Sequence, residues 1–226
     1  MAGRARTSMV DDFEKVSPAT ILPMRFMGTE LPNAARKRRR RTMNEPTPAL
    51  LTYDDFRQFV ADKDGRYEFV DGHAVALASP SKPHARLALA LGTKLQAHLA
   101  PRRCDVYMDT DVWTGHNARR PDLSITCDEH DIENDDDVLR APTVLIEILS
   151  DNLGDDLKEK LDEYQSMPSV EEYVVMDSRK RWVRHYYRSA EGRLIFDHDY
   201  IAGNFRLASI GFIVEIEALY TEARIR

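Results

Sequence analysis

A short aliphatic run with one acid at its centre constrains the fold of this chain most. Residues 144–150 read VLIEILS, which is short enough for a strand and apolar at both sets of alternating positions. This pattern predicts a strand that is buried on both faces of a sheet. Because an isolated buried carboxylate is unfavourable or shifts its pKa upward, we expect a cation, a proton or a metal beside Glu147.

A second predicted strand presents another acid. Residues 122–127 read DLSITC and alternate between apolar and polar side chains. One face of this strand is therefore predicted to contact a core, and the other to contact polar surroundings. Asp122 lies on the polar face, so two strands can present Asp122 and Glu147 to one place.

Length and composition predict one globular domain without a membrane segment. The 226 residues are 42% hydrophobic, enough for one sizeable core. No apolar run approaches the roughly 18 residues of a membrane span, and the N-terminus lacks the apolar core of a signal peptide, so we expect a cytoplasmic protein. Cys104 and Cys127 are predicted to be reduced thiols, since two cysteines are too few for a disulfide scaffold and these two lack the paired spacing of a zinc site. The histidines show no H-E-x-x-H spacing, which argues against a zinc hydrolase and leaves an oxygen-ligated metal open.

Charge is unevenly distributed along the chain. Residues 1–42 carry ten Lys or Arg against four Asp or Glu and end in the basic run 36–41, so they are predicted to be a disordered leader. This leader is either a phosphate-binding tail or sequence upstream of a natural start at Met43. The predicted domain, residues 43–226, keeps 22 basic and 34 acidic residues. That balance does not favour tight non-specific binding to nucleic acid, but a local basic groove stays open.

Periodicity within 43–226 predicts an α/β domain with a mixed sheet, because helical and strand patterns alternate. A helix is predicted over 52–61 with Thr52 as its N-cap, and a longer one over 84–99 with a leucine at every fourth position. Asp71-Gly72 predicts a hairpin turn. Further strands are predicted within 102–115, 171–177, 181–187 and 193–200. Residues 128–140 are predicted to be a loop, and 212–220 to be less regular.

The helix that follows the Glu147 strand carries a candidate cation. At 100° per residue its apolar stripe is formed by Leu157, Leu161 and Tyr164. Lys160 borders this stripe and can extend toward Glu147, whereas Lys158 is predicted to face water. The structural alternative is that Lys160 only pairs with Asp156 one helical turn away.

An ordered series of motifs extends over roughly residues 50–220. It consists of YEFVDG at 67–72, SPS at 79–81 with His84, RPD at 120–122, EILS at 147–150, and Asp156-x-x-x-Lys160-x-x-x-Tyr164. This series resembles the Uma-two family of endonucleases in the PD-(D/E)XK nuclease superfamily. The resemblance implies a restriction-endonuclease-like fold, in which a mixed sheet flanked by helices holds a divalent metal between an Asp and a Glu on adjacent strands.

Motif match also implies the site residues. Asp122 and Glu147 are the expected metal ligands, with Glu68 as a further acid. Leu149 stands where the superfamily signature places its lysine, and Lys160 on the following helix is the matching candidate. His84, Asp156 and Tyr164 are implied as supporting residues. Mg²⁺ or Mn²⁺ suits such a site, because Mg²⁺ prefers hard oxygen ligands and keeps several waters.

Two functional hypotheses follow. The first is a Mg²⁺-dependent endonuclease that hydrolyses DNA phosphodiester bonds, with Asp122, Glu147 and Lys160 as catalytic residues. The second is a non-catalytic nuclease-like module that binds nucleic acid or a protein partner. A purely structural role also stays open for each acid, and so do RNA as a substrate and assembly into a homodimer.

Overall fold

The structure is a computed structural model that describes residues 50–134, 136–150 and 155–225, without the side chains of 155 and 156. The predicted leader at 1–42 lies outside the described residues. The described part contains five helices and thirteen strands. In chain order they are α1 (Tyr53–Ala61), β1 (Arg66–Val70), β2 (His73–Leu77), α2 (Lys82–Leu99), β3 (Asp105–Met108), β4 (Asp111–Trp113), β5 (Ala118–Arg119), β6 (Leu123–Thr126), α3 (Glu129–Glu133), β7 (Val138–Leu139), β8 (Val144–Leu149), α4 (Asp155–Gln165), β9 (Glu172–Asp177), β10 (Val183–Arg188), β11 (Leu194–Tyr200), β12 (Asn204–Leu207), β13 (Phe212–Glu215) and α5 (Ile216–Glu222).

The strands of the described part form three sheets. The largest has six strands in the order β11-β10-β9-β8-β6-β3, and a five-stranded sheet has the order β2-β1-β5-β4-β7. β12 and β13 form a separate hairpin. β8 and β9 run parallel, whereas β8 pairs antiparallel with β6. Because α4 connects the two parallel strands, they form a β-α-β unit, and the predicted mixed α/β fold is confirmed.

Capping and turn residues begin the first elements where the sequence predicts. The Thr52 side chain accepts a hydrogen bond from the Asp55 amide, and the Asp55 side chain accepts one from the Thr52 amide, which is a capping box at the start of α1. The β1–β2 hairpin turns at Asp71 and Gly72, with φ values of 49° and 76°. A Cβ atom on Gly72 would lie 2.8 Å from the Cβ of Leu50, so this turn requires glycine.

Helices cover both faces of the six-stranded sheet near β8. The four leucines at every fourth position of α2 are fully buried against Leu123, Ile146 and other residues of β6, β8 and β9, whereas Leu89 is exposed. On the other face, Leu145 and Leu149 pack in a cluster with Tyr164 of α4. All six residues of β8 are therefore buried, as the apolar run predicts. No helix in the described ranges combines the length and apolar character that a membrane crossing requires.

The strand region predicted within 102–115 is two strands that lie in different sheets. Asp109 adopts a φ of 58°, in the left-handed region, and separates β3 from β4. β3 pairs with β6 in the six-stranded sheet, whereas β4 pairs with β5 and β7 in the five-stranded sheet. Alternation continues through the break, so the sequence pattern alone does not reveal the change of sheet.

Two segments are more regular than predicted. The predicted loop at 128–140 contains α3, capped by the Asp128 side chain, and the short strand β7. The predicted irregular segment at 212–220 contains β13 and most of α5. Tertiary burial explains the second case, because Phe212, Ile216 and Leu219 pack into the core beneath α2.

The prediction of two reduced thiols is also wrong, because Cys104 and Cys127 form a disulfide bond. The register of β3 against β6 pairs Asp105 with Thr126, which places the flanking cysteines opposite each other. Their Cα atoms are 4.1 Å apart although 23 positions separate them in sequence. Only the strand pairing brings the two cysteines together, so their spacing in the sequence does not predict the disulfide bond.

Candidate active site

Two neighbouring strands bring the predicted acids to one cavity. Asp122 immediately precedes β6, and Glu147 lies within the neighbouring strand β8. Both side chains line a cavity of about 300 Å³. Its wall also includes Arg66, His84, Arg120 and Lys160, together with residues 77–81 before α2. The pairing of β6 with β8 thus places the two acids as the sequence predicts.

Lys160 lies at the centre of the buried charges. Its Nζ is 3.1 Å from Glu147 Oε1 and 3.0 Å from Glu68 Oε1. Glu147 shares a sheet face with Leu145 and Leu149, which pack with α4, so residues of that helix reach it. Lys160 is only 5% exposed, whereas Lys158 is exposed. The contact that helical periodicity predicts is present, and the Asp156 side chain of the alternative lies outside the described residues.

Glu68 lies behind Lys160 and is not among the described residues that line the cavity. Its Oε1 accepts hydrogen bonds from Lys160 and from the Arg120 amide, and its Oε2 accepts one from Arg119 Nη1 at 3.2 Å. Burial raises the pKa of Glu68, but Lys160, the Arg120 amide and Arg119 together outweigh burial and hold its pKa below the usual value. Glu68 is therefore a buried anion that positions Lys160.

Three nitrogen-bearing groups surround the Asp122 carboxylate. His84 Nε2 lies 3.0 Å from Oδ1, and Arg66 Nη2 lies 3.6 Å from the same oxygen. The Ile148 amide donates to Oδ2 at 2.7 Å. His84 is in the first turn of α2, where the Ser81 side chain accepts a hydrogen bond from its amide. These contacts fix the orientation of Asp122 toward the strand that carries Glu147.

The pKa of Glu147 is raised because its carboxyl is buried and lies near other acids. Burial is the largest cause that raises its pKa to about 7; Lys160 opposes the shift, while the charges of Asp122 and Glu68 add to it. The Tyr164 hydroxyl donates to Oε1 at 3.2 Å. A further cation beside the Glu147 carboxyl would favour its ionised form.

A further set of buried polar residues supports the site, and the sequence reasoning missed it. Arg119 contacts Glu68 on one side and Glu163 of α4 on the other, where its Nε donates to Oε2 at 3.0 Å. Glu163 also accepts hydrogen bonds from Thr114 and Asn117. These contacts fasten α4, and with it Lys160, to the five-stranded sheet. The available signal was an arginine directly before the Arg-Pro-Asp motif.

The donor set of the cavity suits a hard divalent cation. Within the ranges that the structure describes, no group of three or more His, Cys, Asp or Glu side chains is arranged to hold a metal ion. Mg²⁺, however, typically uses one or two carboxylates and keeps several waters. Asp122 and Glu147 supply two carboxylates at one cavity, and the repulsion between them would be relieved by such an ion.

Comparison with known proteins agrees with the motif series. Residues 53–198 match the model of the family Uma2, "Putative restriction endonuclease". An uncharacterized protein of Synechocystis sp. is 25% identical over 145 residues, which cover 62% of this chain and 82% of that protein. The crystal structure of "a putative nuclease belonging to DUF820" from Anabaena variabilis matches with a TM-score of 0.64 at 14% identity, over 76% of this chain and 99% of that one. At this identity the structural likeness shows the fold alone, and it confirms the predicted nuclease-like fold.

Proposed function

Since this chain belongs to the Uma2 family of restriction endonuclease-like proteins, we propose that it is a metal-dependent endonuclease that hydrolyses phosphodiester bonds in DNA. One observation carries the proposal: Lys160 Nζ lies 3.1 Å from Glu147 at the wall of a cavity that Asp122 also lines. An Asp, a Glu and a Lys from three separate elements therefore converge on one place. Family membership supports a nucleic acid substrate.

Asp122 and Glu147 would hold Mg²⁺ or Mn²⁺ through their carboxylates. When bound, such an ion supplies a water of lowered pKa and neutralises charge on the scissile phosphate. The Ile148 amide holds the Asp122 carboxylate in place by a hydrogen bond, and His84 Nε2 lies 3.0 Å from the same carboxylate. The Tyr164 hydroxyl donates a hydrogen bond to Glu147.

Lys160 would act on the reacting groups directly. Its ammonium lines the cavity and lies 3.0 Å from Glu68 and 3.1 Å from Glu147. A donor of this kind can orient the attacking water or stabilise the charge that develops on the phosphate. Glu68 keeps the ammonium charged and fixed, because it is ionised and almost fully buried.

One observation favours the second hypothesis, a non-catalytic module that binds nucleic acid or a protein partner. Each cavity acid already has protein cations or donors beside it: Lys160 at Glu147, and His84 with Arg66 at Asp122. Acids that are paired in this way can persist for stability alone. Activity therefore separates the two hypotheses.

The test is a cleavage assay with the purified full chain. Supercoiled plasmid, single-stranded DNA and RNA are each incubated with the protein in Mg²⁺, in Mn²⁺ and in EDTA. We expect metal-dependent cleavage by the wild type and none by Asp122→Ala. Equal products from both proteins, or no cleavage of any substrate, would contradict the proposed activity.

A further inference from the structure

Two arginines border the cavity beside the acids. Arg66 begins β1, and Arg120 lies between β5 and β6. Their side chains are 21% and 24% exposed, whereas the Lys160 side chain is 6% exposed. The two guanidinium groups are therefore the more accessible positive charges on this wall. Lys160 is enclosed by its two glutamates.

Each arginine is held by an aspartate from the same turn. Arg66 Nε donates to Asp109 Oδ1 at 2.6 Å, and Arg120 Nε donates to Asp111 Oδ1 at 2.7 Å. Asp109 occupies the break between β3 and β4 in the left-handed region, and Asp111 begins β4. The turn thus sets one carboxylate against each guanidinium. Asp109 and Asp111 line an adjoining cavity, and neither is among the described residues that line the cavity of Asp122 and Glu147.

The hydrogen-bond partners of their guanidinium groups distinguish Arg66 and Arg120 from the structural arginines of this protein. Arg188 directs its guanidinium at five backbone carbonyls, and Arg119 joins the carboxylates of Glu68 and Glu163. Arg66 and Arg120 use Nε and Nη2 on carboxylates, and in both cases Nη1 has no hydrogen-bond partner among the described residues. A half-satisfied guanidinium at a cavity wall is oriented on one side and free to bind on the other.

The acidic wall of the cavity also favours a role for further cationic side chains. Its wall carries two acids, and Lys160 is engaged by Glu147 and Glu68. A phosphodiester that approaches Asp122 and Glu147 would meet repulsion, which cations on the wall would reduce in addition to the proposed metal ion. Guanidinium groups match phosphate oxygens geometrically, since they donate two parallel hydrogen bonds.

From this geometry we propose that Arg66 and Arg120 bind the backbone phosphates of the nucleic acid that enters this cavity. The proposal rests on the proposed function for the identity of the ligand. It assigns the residues that bind the substrate backbone, a role that Asp122, Glu147 and Lys160 do not fill. Asp109 and Asp111 are positioning residues, because they act only through the arginines. The ligand is duplex DNA, single-stranded DNA or RNA. All three present the same backbone phosphates, and the test below distinguishes between them.

The test measures binding by fluorescence polarisation in EDTA, with short fluorescein-labelled probes of all three kinds and rising NaCl. Arg66→Gln and Arg120→Gln are each expected to weaken binding of the preferred probe about ten-fold and to reduce the slope of log affinity against log salt by about 1. Arg57→Gln is the matched control, because Arg57 also pairs with an aspartate but lies 42% exposed away from the cavity wall. It should bind like the wild type.

A conservative variant covers the case in which Arg120→Gln fails to fold beside the buried Asp111. Arg120→Lys keeps a cation there but cannot donate a bidentate pair, so it should fold and still bind several-fold more weakly. The assignment is overturned if the arginine variants keep the wild-type affinity and salt slope, or if the wild type binds no probe.

A parallel cleavage assay in Mg²⁺ separates this proposal from the proposed activity. Cleavage that is lost in Asp122→Ala, together with unchanged binding by the arginine variants, would reject only the arginine assignment. Arginine-dependent binding with the expected salt slope, in a protein that cleaves nothing, would reject the activity and keep the phosphate-binding site.

Discussion

The Lys160 ammonium and the Glu147 carboxylate lie 3.1 Å apart in the protein interior, on a helix and on the strand that precedes it. Both groups are almost fully buried, and Glu68 lies on the other side of the ammonium at 3.0 Å. The lysine thus contacts two acids at once. Lys160, the proposed catalytic cation, therefore also contributes to the stability of the fold.

Replacing Lys160 by Met separates these two roles. The variant keeps the aliphatic stem but leaves Glu68 and Glu147 without their shared cation, so we expect a loss of about 3 kcal/mol in unfolding free energy near pH 8. The loss should be smaller near pH 6, because Glu147 already tends to bind a proton. Urea unfolding at both pH values measures the effect. Nuclease activity, assayed under conditions where the variant is folded, should fall at least about 100-fold.

Lys158→Met is the matched control for this prediction. Lys158 is exposed on the same helix, and its removal should leave stability and activity close to those of the wild type. Equal losses in the two variants would show that charge on α4, and not the buried contact, is responsible. A folded Lys160→Met protein with full activity would remove Lys160 from the catalytic set.

Divalent metal should raise the melting temperature of the wild type. A ligand that binds the native site, and not the dispersed carboxylates of the unfolded chain, stabilises by linkage. Because Asp122 and Glu147 are the proposed ligands, Asp122→Asn and Glu147→Gln should abolish the increase in Mg²⁺ and in Mn²⁺. Differential scanning fluorimetry over a metal titration checks this. Asp137→Asn, at an aspartate that is 87% exposed, should respond to metal like the wild type.

Local sequence patterns predict some features of this site and not others. The buried strand around Glu147 and the side of α4 that carries Lys160 follow from periodicity, and the structure has both. The position of Glu68 behind the lysine does not follow, because it depends on how β1 sits beside β5 in another sheet. Arg119 was missed for the same reason. Local sequence patterns predict which face of a helix or strand is buried. They do not predict which residues of another sheet contact that face, because this depends on how the sheets pack together.

The disulfide gives a prediction that is independent of the site. Cross-linking Cys104 to Cys127 closes a loop of 23 residues, for which loss of chain entropy in the unfolded state is worth about 3 kcal/mol. Cys104→Ser/Cys127→Ser should lose stability of this order in urea unfolding, and dithiothreitol should lower the wild-type melting temperature but not that of the double variant. Two free thiols per chain in unfolded, unreduced protein would contradict the bond.

The last prediction concerns the pH dependence of stability at His185, away from the cavity. His185 Nε2 lies 3.0 Å from Glu172, and Nδ1 lies 3.1 Å from Asp197. Burial lowers the pKa of His185, but the hydrogen bonds and charges of Glu172 and Asp197 outweigh burial and raise its pKa above the ordinary 6.5. The pKa of Glu172 is lowered, because its hydrogen bonds to His185 and to Ser209 and Ala208 exceed the effect of burial.

The sign of the effect follows from linkage. Because the native state holds the His185 proton more tightly than the unfolded chain, its contribution is complete below pH 6.5 and is lost as the pH rises through the native pKa. The contribution of Glu172 has the opposite sense: it is present above its ordinary pKa of 4.5 and is lost as the pH falls through the native pKa. Urea unfolding between pH 6 and pH 9 should therefore show a decline in the wild type that is reduced in His185→Gln. His116→Gln, at an exposed loop histidine, should keep the wild-type decline, and an identical decline in all three proteins would exclude His185 as its source.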